Sequence, residues 1–438
     1  MHKSIIRKLT INLLTVLFVC LKPSFSNFIF FKILYKKRGI LQDLSNNFLE
    51  TNKIAMLKFI SEFDILSFED SAKYKVKILD EERFENVRTP HIYGISELNS
   101  VNLKKNEIAI YRFKDAKICG LSDAIKVGEK EVFWEKVHDK TFTQVNPLDE
   151  NFVAVDLKSQ KLYLKESKII KKYKSGINLC GVHTNTWGHF VINFLPKIIA
   201  LKDFLPEGRS NIFVSKEILE NNIDLIKYIE KSLYKNCILE FIKIDEEEEV
   251  FCEDLIHCNT VSFLADDSTY VHPSSACVSE YGSKKVKEAA EILWQSIEKQ
   301  KPKKIYIGRD TPSRNLKQAN LIEEYFVRNG FEIIFPHLYS FQEKINIFGN
   351  ATHIAGPVSS GFTNFIFSQN KLKILGFFNY ARSFDPFISG LIYGGGFDHE
   401  LLIMTGKENL NFNKDNSFDI ELDEIENVVD ESNFFEPL

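Results

Sequence analysis

The sequence predicts an α/β protein in which two Rossmann-like lobes face one another across a cleft, with a β-rich segment before them. Three observations predict this fold. The chain has 438 residues, enough for about two or three domains. Hydrophobic residues make up 44% and charged residues 26% of it, close to the averages of globular proteins, which excludes a disordered chain. From residue 176 onward strand patterns alternate with helix patterns, and such alternation requires a parallel sheet.

The domain boundaries follow from the positions at which these patterns change. The chain begins with a basic and apolar segment at 1–45 and ends with an acidic segment at 401–438, for which we predict a strand at 418–422 and a short closing helix. Between them we place a mixed, β-rich region at 46–175, the N-terminal Rossmann-like lobe at 176–278, a helical connector at 279–300 and the C-terminal Rossmann-like lobe at 301–400.

The first 45 residues have features of a membrane-binding segment. The apolar run 9–21 follows several basic residues, but it is shorter than the roughly 20 residues that span a bilayer. A second apolar run, 25–34, precedes a basic cluster at 35–38. The pattern favours a segment that lies on a membrane face, with an export signal or an ordinary buried helix as alternatives. We therefore expect a cytoplasmic protein that contacts the inner face of the cytoplasmic membrane.

Charge and cysteine content exclude further classes. The formal net charge is -4, which gives no general attraction to nucleic acid. Seven cysteines without a CxxC motif are typical of a reduced, cytoplasmic protein. Several residues of metal-ligating types lie close together in sequence, but their spacing matches no zinc site, so we predict no metal and treat them as structural. They are Cys252, His257, Cys258, His272 and Cys277.

In the N-terminal lobe the patterns predict alternating strands and helices. The strands are placed at 177–181, 211–214 and 238–244, and the helices at 190–204 and 218–234. The acidic run Glu246–Glu249 predicts a solvated loop.

The C-terminal lobe has a clearer alternation. Its strands are predicted at 305–307, 331–335, 352–355 and 372–377, with a short helix at 360–368. Two further helices carry a capping signature, a polar residue followed by glutamate three positions later. These pairs are Asn320 with Glu323 and Ser340 with Glu343. Ligands of such sheets bind at the carboxyl ends of the strands, so the loops at those ends are the expected place of a binding site.

Two arginines follow the first strand of the C-terminal lobe. Arg309 comes directly after Ile307-Gly308, and Arg314 lies five residues further on. A guanidinium group binds phosphate oxygens in pairs and stays charged, so both residues are candidates for binding a diphosphate. The alternative is a surface ion pair with Asp310 or Glu323.

A turn of small residues follows the third strand. Ser359, Ser360 and Gly361 come after Gly356-Pro357 and directly before a helix. Backbone N–H groups at such a turn can bind an anion, and the helix dipole favours it. Ordinary helix capping is the alternative interpretation.

A histidine begins the first helix of the N-terminal lobe. His189 follows Asn185-Thr186-Trp187-Gly188, just beyond a strand. The positive end of a helix favours a neutral imidazole, which can act as a general base. The alternative is a histidine that only caps its helix.

A series of short motifs runs through both lobes in a fixed order. They are Asn185-Thr186-Trp187-Gly188-His189-Phe190, Phe194-Leu195-Pro196-Lys197, Ile305-Tyr306-Ile307-Gly308-Arg309 with Arg314, Asn329-Gly330-Phe331, Leu338-Tyr339-Ser340-Phe341-Gln342-Glu343, Phe348-Gly349-Asn350-Ala351, Gly356-Pro357 and Phe362-Thr363-Asn364-Phe365-Ile366-Phe367. In this order they resemble glycosyltransferase family 61, loosely over residues 87–375 and closely over 304–377.

The resemblance implies a GT-B architecture and an inverting transfer of a sugar from a nucleotide donor, without a cofactor or an obligatory metal. The N-terminal lobe then takes the acceptor and the C-terminal lobe the nucleotide-sugar, which we expect to be UDP-linked. The acceptor would be a glycan or a lipid-linked glycan in the synthesis of a surface polysaccharide, such as a capsule or lipopolysaccharide.

The resemblance also implies roles for single residues. His189 would take the proton of the acceptor hydroxyl, and the diphosphate would be bound by the arginines and the small-residue turn. The residues expected at the diphosphate are Arg309, Arg314, Ser359, Ser360 and Gly361. Those expected at the nucleotide or its pocket are Gly356, Thr363 and Asn364. Those expected on the acceptor side are Asn185 and Trp187.

Two other functions stay open. The chain has Val358-Ser359 where the family usually has histidine then glycine, and Lys344 at a position where glutamine is common. A non-catalytic member that binds glycans or acts as a scaffold is therefore one alternative. A serine hydrolase with Ser359 or Ser360 as nucleophile is the other, although the segment is not a GxSxG motif.

Overall fold

The computed structural model describes residues 60–95, 100–135, 149, 151–156, 158–167, 169–205, 207–234, 236–245, 247–264, 276–310, 315–379, 387–406 and 417–437. The predicted membrane-associated segment therefore lies outside the described residues. Within them, no helix is both long enough and apolar enough to cross a membrane. The described strands and helices form several sheets, which confirms the mixed α/β class.

The strands are numbered in chain order. Strands β1 to β11 are Ile60–Ile65, Lys75–Asp80, Arg83–Val87, His91–Ile92, Val101–Lys105, Ile108–Ile118, Ala124–Val127, Glu131–Trp134, Phe152–Asp156, Lys161–Lys165 and Ile169–Asn178. Strands β12 to β21 are Gly208–Ser215, Cys237–Ile244, Glu248–Cys258, Ser262–Leu264, Ala276–Val278, Lys303–Ile307, Phe331–Ile334, Ala351–Pro357, Lys373–Asn379 and Glu400–Gly406.

The helices are numbered in the same way. Helix α1 is Phe68–Ser71, and α2 is Trp187–His189 continued by a π-helical segment, Phe190–Phe194, and by Leu195–Ala200. Helices α3 to α8 are Glu220–Leu233, Glu280–Trp294, Ala319–Arg328, Phe341–Gly349, Phe387–Gly395 and Leu422–Glu431, and 3₁₀ segments occupy Ala72–Tyr74, Lys202–Phe204, Pro336–Leu338 and Ser360–Phe367.

The larger sheet is mixed. Its order in the described chain is β13-β12-β11-β14-β6-β7-β8-β1-β10-β9, with β2 also paired to β6. The pairs among β13, β12, β11 and β14 are parallel, whereas β14 and β6 are antiparallel. The predicted parallel strands of the N-terminal lobe thus continue into the β-rich region, and the sheet crosses the boundary we placed at residue 175. The division into domains stays a prediction.

The smaller sheet is parallel throughout its described pairs. Its order is β18-β17-β19-β20-β21-β4, and each neighbouring pair is parallel. The four strands predicted for the C-terminal lobe are its first four strands, which confirms their alternation with helices. The edge strand β4 comes from residues His91–Ile92, far earlier in the chain.

The two sheets share one core. A single cluster of buried side chains includes Ile110 and Phe190 on one side and Ile354 and Ile403 on the other. Helix α7 lies against α4 at a close approach, because a Cβ on Gly394 would lie 3.3 Å from the Cβ of Ser283. Both helices contribute buried side chains to this core, among them Val286 and Leu391.

Three local predictions are wrong. Asn320 is the second residue of α5 and does not cap it, since the N-cap is Gln318 without a side-chain hydrogen bond. The acidic run is not a solvated loop at Glu249, because this residue lies in β14 and its carboxylate is 2.5 Å from the Nζ of Lys126, with both side chains buried. The strand predicted at 418–422 is only a single bridge between Phe418 and Leu316.

Candidate functional site

The two halves of the expected site touch at Gly188. A Cβ on this residue would lie 2.9 Å from the Cβ and 3.1 Å from the Cα of Ser360. The first turn of α2, which carries His189, therefore lies directly against the turn that follows β19. The structure thus brings together two sequence motifs that are about 170 residues apart in the chain.

His189 lies in the first turn of α2, as the sequence predicts. The N-cap of the helix is Thr186, and the helix widens into its π-helical segment one residue after His189. Segments of this kind are frequent at functional sites. The imidazole stacks on that of His183, with ring centroids 4.3 Å apart and planes 13° apart, and it also lies near the ring of Phe387 at 6.0 Å. His183 is a second histidine at this place, which the sequence analysis did not single out.

His183 has a strained backbone that its loop holds in place. Its φ is +73°, a region in which non-glycine residues are uncommon. On the side before His183, the Oδ1 atom of Asp123 accepts a hydrogen bond from the N–H of Val182 at 3.1 Å. On the other side, the Nδ2 atom of Asn222 donates to the carbonyl of Thr184 at 2.8 Å. The loop before α2 is therefore fixed at both ends, and the stacked imidazoles with it.

The predicted diphosphate turn lies at the carboxyl edge of the smaller sheet. Strands β17 and β19 are neighbours in register, with Tyr306 opposite Ala355. They approach so closely that a Cβ on Gly356, whose φ is +134°, would lie 2.5 Å from the carbonyl oxygen of Ile307. Gly356 therefore has a clear structural role inside β19. Arg309 follows β17 and is half-buried, next to this edge.

The small residues of the turn hold its shape. The Oγ atom of Ser359 accepts a hydrogen bond from the N–H of Gly361 at 3.3 Å. Thr363 and Asn364 are fully buried. The hydroxyl of Thr363 donates to the carbonyl of Ser360 at 2.7 Å, and the Nδ2 atom of Asn364 donates to that of Gly361 at 2.8 Å. These two side chains are thus already engaged within the turn.

The other predicted residues differ in their surroundings. Asn185 is exposed, and its Oδ1 atom accepts a hydrogen bond from the hydroxyl of Thr186 at 3.4 Å. Trp187 is buried, and its indole N–H has no hydrogen-bond partner in the described part of the chain. Arg314 lies outside the described residues.

A buried acid–base pair at the carboxyl end of β14 was not predicted from the sequence. The Nε2 atom of His257, near the end of β14, lies 2.5 Å from the Oε1 atom of Glu135. Burial raises the pKa of Glu135, but the positive charge of Lys197 and hydrogen bonds from His257 and Thr260 outweigh it and lower that pKa to about 2. Burial lowers the pKa of His257. The position of His257 at a strand end was the only sequence signal, since its partner is 122 residues away.

Lys344 is a second residue whose surroundings the sequence analysis did not predict. It lies on α6 and only 3% of it is exposed. Its Nζ atom is 5.0 Å from the ring centroid of Trp187, and burial lowers its pKa to about 8. Among the residues that the structure describes, no carboxylate pairs with this ammonium group. Its burial could not be read from the sequence, because it depends on the contact between α6 and α2.

The geometry also bears on two other chemistries, metal-dependent catalysis and serine hydrolysis. Among the residues that the structure describes, no group of three or more histidine, cysteine, aspartate or glutamate side chains could hold a metal ion. The Oγ atom of Ser359 is engaged with the N–H of Gly361, and neither Ser359 nor Ser360 has an imidazole partner in the described chain. This arrangement does not provide the base that a serine nucleophile requires.

Comparison with known families adds an independent finding. Residues 187–375 match the model of a family described as Glycosyltransferase 61. A comparison with curated proteins gives no match. The matched stretch begins at Trp187 and ends at Leu375, so it contains His189, Arg309 and the turn at Ser359–Gly361.

Proposed function

Because residues 187–375 match the model of glycosyltransferase family 61, we propose that the protein is an inverting, metal-independent glycosyltransferase with a GT-B arrangement of its lobes. Its donor is a nucleotide-sugar, UDP-linked, and its acceptor is a glycan or a lipid-linked glycan. The role in surface polysaccharide synthesis rests on the family and on the basic, apolar segment at 1–45, which is suited to the inner face of the cytoplasmic membrane.

The proposed reaction is a single displacement. The acceptor oxygen attacks the anomeric carbon, the bond from that carbon to the donor phosphate oxygen breaks, and the nucleoside diphosphate leaves with the electron pair. His189 takes the proton of the acceptor hydroxyl. Arg309, Arg314 and the backbone of the turn at Ser359–Gly361 stabilise the charge that develops on the diphosphate.

The contact between Gly188 and Ser360 is the observation that carries this proposal. It puts the first turn of α2 against the turn after β19. A base on one side and N–H donors on the other then enclose one space at the carboxyl edges of two sheets, where ligands of parallel sheets bind. The transfer of a sugar from a phosphate to an acceptor needs the base and the phosphate-binding groups close to one another.

The test compares His189→Ala and Arg309→Ala in the full chain. Thermal stabilisation by UDP, GDP, CMP and dTDP and their sugar conjugates identifies the donor, because a ligand at 100 times its dissociation constant adds about 2.7 kcal/mol of stability. We expect His189→Ala to abolish transfer and to keep donor binding. Arg309→Ala should lose about 2 to 4 kcal/mol of transition-state stabilisation. Arg209→Ala, a surface arginine that is 73% exposed and pairs with Glu240, is the control.

Three results would contradict parts of this proposal. Lost donor binding in His189→Ala would make the histidine structural. Unchanged turnover in Arg309→Ala would remove its role in charge stabilisation. If the wild-type protein neither binds a nucleotide nor transfers a sugar, the non-catalytic, glycan-binding alternative replaces the enzyme.

A further inference from the structure

Lys344 is a buried positive charge without a described counter-ion. Only 3% of the residue is exposed, and burial alone lowers its pKa to about 8, with no contribution from a nearby carboxylate. At neutral pH the ammonium group is therefore still mostly charged. Two other buried lysines are paired, Lys105 with Asp80 at 2.6 Å and Lys126 with Glu249 at 2.5 Å. A buried charge that is unpaired in the free protein is expensive to keep.

A second unsatisfied donor lies at the same place. The Nζ atom of Lys344 is 5.0 Å from the ring centroid of Trp187, and the N–H of that indole is buried without a partner in the described part of the chain. Buried polar groups are normally hydrogen-bonded. Two donors of hydrogen bonds that lack acceptors, one of them charged, therefore lie close together between α2 and α6.

This region adjoins the proposed donor site. Trp187 precedes Gly188, which touches Ser360. Gly361 of the same turn lies against Pro336, since a Cβ on the glycine would be 3.2 Å from the Cγ atom of Pro336. Pro336 begins the 3₁₀ segment that leads into α6. The turn and α6 are thus packed together, and Lys344 lies beside the turn rather than on a remote surface.

From this geometry we propose that Lys344 and the indole N–H of Trp187 form an anion subsite that binds an oxyanion of the donor. The inference rests on the proposed function. Two donor groups share the required chemistry, a phosphate of the diphosphate and a carboxylate of an acidic sugar. When either binds, the ammonium and the indole donate hydrogen bonds to its oxygens, which removes the unpaired charge. A hydrogen bond to a charged group is worth more than a neutral one.

The experiment measures binding to the full-length protein by calorimetry with three probes, inorganic pyrophosphate, UDP-glucose and UDP-glucuronate. Lys344→Met removes the charge and keeps the length of the side chain, and Trp187→Phe removes the indole N–H and keeps an aromatic ring. Lys287→Met is the matched control, because its Nζ atom also lies over a tryptophan ring, 4.4 Å from the centroid of Trp294, and burial also lowers its pKa.

If the subsite binds phosphate, Lys344→Met should weaken the binding of all three probes about tenfold or more. If the subsite binds a carboxylate, only the binding of UDP-glucuronate should weaken by that factor. In both cases we expect Trp187→Phe to weaken the binding of the same probes by a smaller factor. Lys287→Met should leave the dissociation constants within about twofold of the wild-type values, as for other distant substitutions.

The stability of the free protein separates this role from a structural one. Lys344→Met should have a melting temperature at neutral pH equal to or above that of the wild type, because it removes an unpaired buried charge. A lower melting temperature with unchanged binding of every probe overturns the subsite and makes the lysine structural. Unchanged binding alone also overturns it. Binding of no probe by the wild type would overturn the UDP-linked donor of the proposed function together with the subsite, so the two failures are distinguishable.

Discussion

At the scale of single residues, Gly188 decides how closely the two halves of the site approach. In Gly188→Ala the new Cβ would meet the Cβ of Ser360 at 2.9 Å and its backbone Cα at 3.1 Å, so the turn or the helix must shift. A displacement of about 1 Å at a catalytic site can reduce the rate on the order of 10²-fold. We expect transfer to fall at least about tenfold, which a steady-state assay would measure.

A double variant is the control for this prediction. Gly188→Ala combined with Ser360→Gly removes the Cβ of Ser360 and leaves only the contact with its backbone. Activity should then recover in part. Full activity in the single variant would show that the approach of α2 to the turn does not matter for transfer.

The sequence predicts some site residues and misses others for a physical reason. His189, Arg309 and Ser359 stand at junctions between a strand and a helix, where local patterns of small, polar and apolar residues place them. Glu135 and Lys344 have no such local signal. Their importance depends on contacts with His257 and Trp187, which only the folding of distant segments brings near.

At the scale of elements, α6 carries Lys344 and begins at a capping box. The Oγ atom of Ser340 accepts from the N–H of Glu343, whose carboxylate in turn accepts from the N–H of Ser340 at 2.8 Å. Ser340→Ala should therefore lower the free energy of unfolding by about 1 kcal/mol, which a urea titration would detect. Asn320→Ala is the control, since Asn320 makes no cap of α5, and we expect it to change stability by less than about 0.5 kcal/mol. Equal losses in both variants would refute the assignment of the cap.

The same two helices show how far sequence patterns predict elements. Both carry the capping signature, but α5 begins one residue before Asn320 and is capped by Gln318 without a side-chain bond.

Strands were harder to predict where they are exposed. Only the end of β11 was predicted, because its first seven residues are mostly exposed and include three lysines. Exposed residues lack the apolar pattern on which the prediction depends. The exposed residues of β11 form a strand because they pair with β14.

At the scale of the whole molecule, alternating segments fold into the smaller sheet as predicted, but the ties between the sheets were not visible in the sequence. The strand β4 has only two residues, and it completes the smaller sheet from a part of the chain that lies between β2 and β6, two strands of the larger sheet. The N–H of Tyr93 adds a hydrogen bond to the carbonyl of Ile403 at 2.9 Å. Such long-range pairing leaves no local pattern, so the sequence predicts the elements better than their connection.

This shared packing predicts that the two sheets unfold together. Ile92 is 3% exposed and belongs to the core cluster that includes both Phe190 and Ile403. Ile92→Ala removes buried methyl and methylene groups and leaves a cavity, so we expect the free energy of unfolding to fall by about 2 to 5 kcal/mol. Far-UV circular dichroism and tryptophan fluorescence should report one transition that shifts as a whole, as in two-state unfolding. Ile238→Ala, at a residue that is 59% exposed, should change stability by less than about 0.5 kcal/mol. Two separate transitions, of which Ile92→Ala shifts only one, would instead mean that the sheets are independent units and that the site between them can open without unfolding.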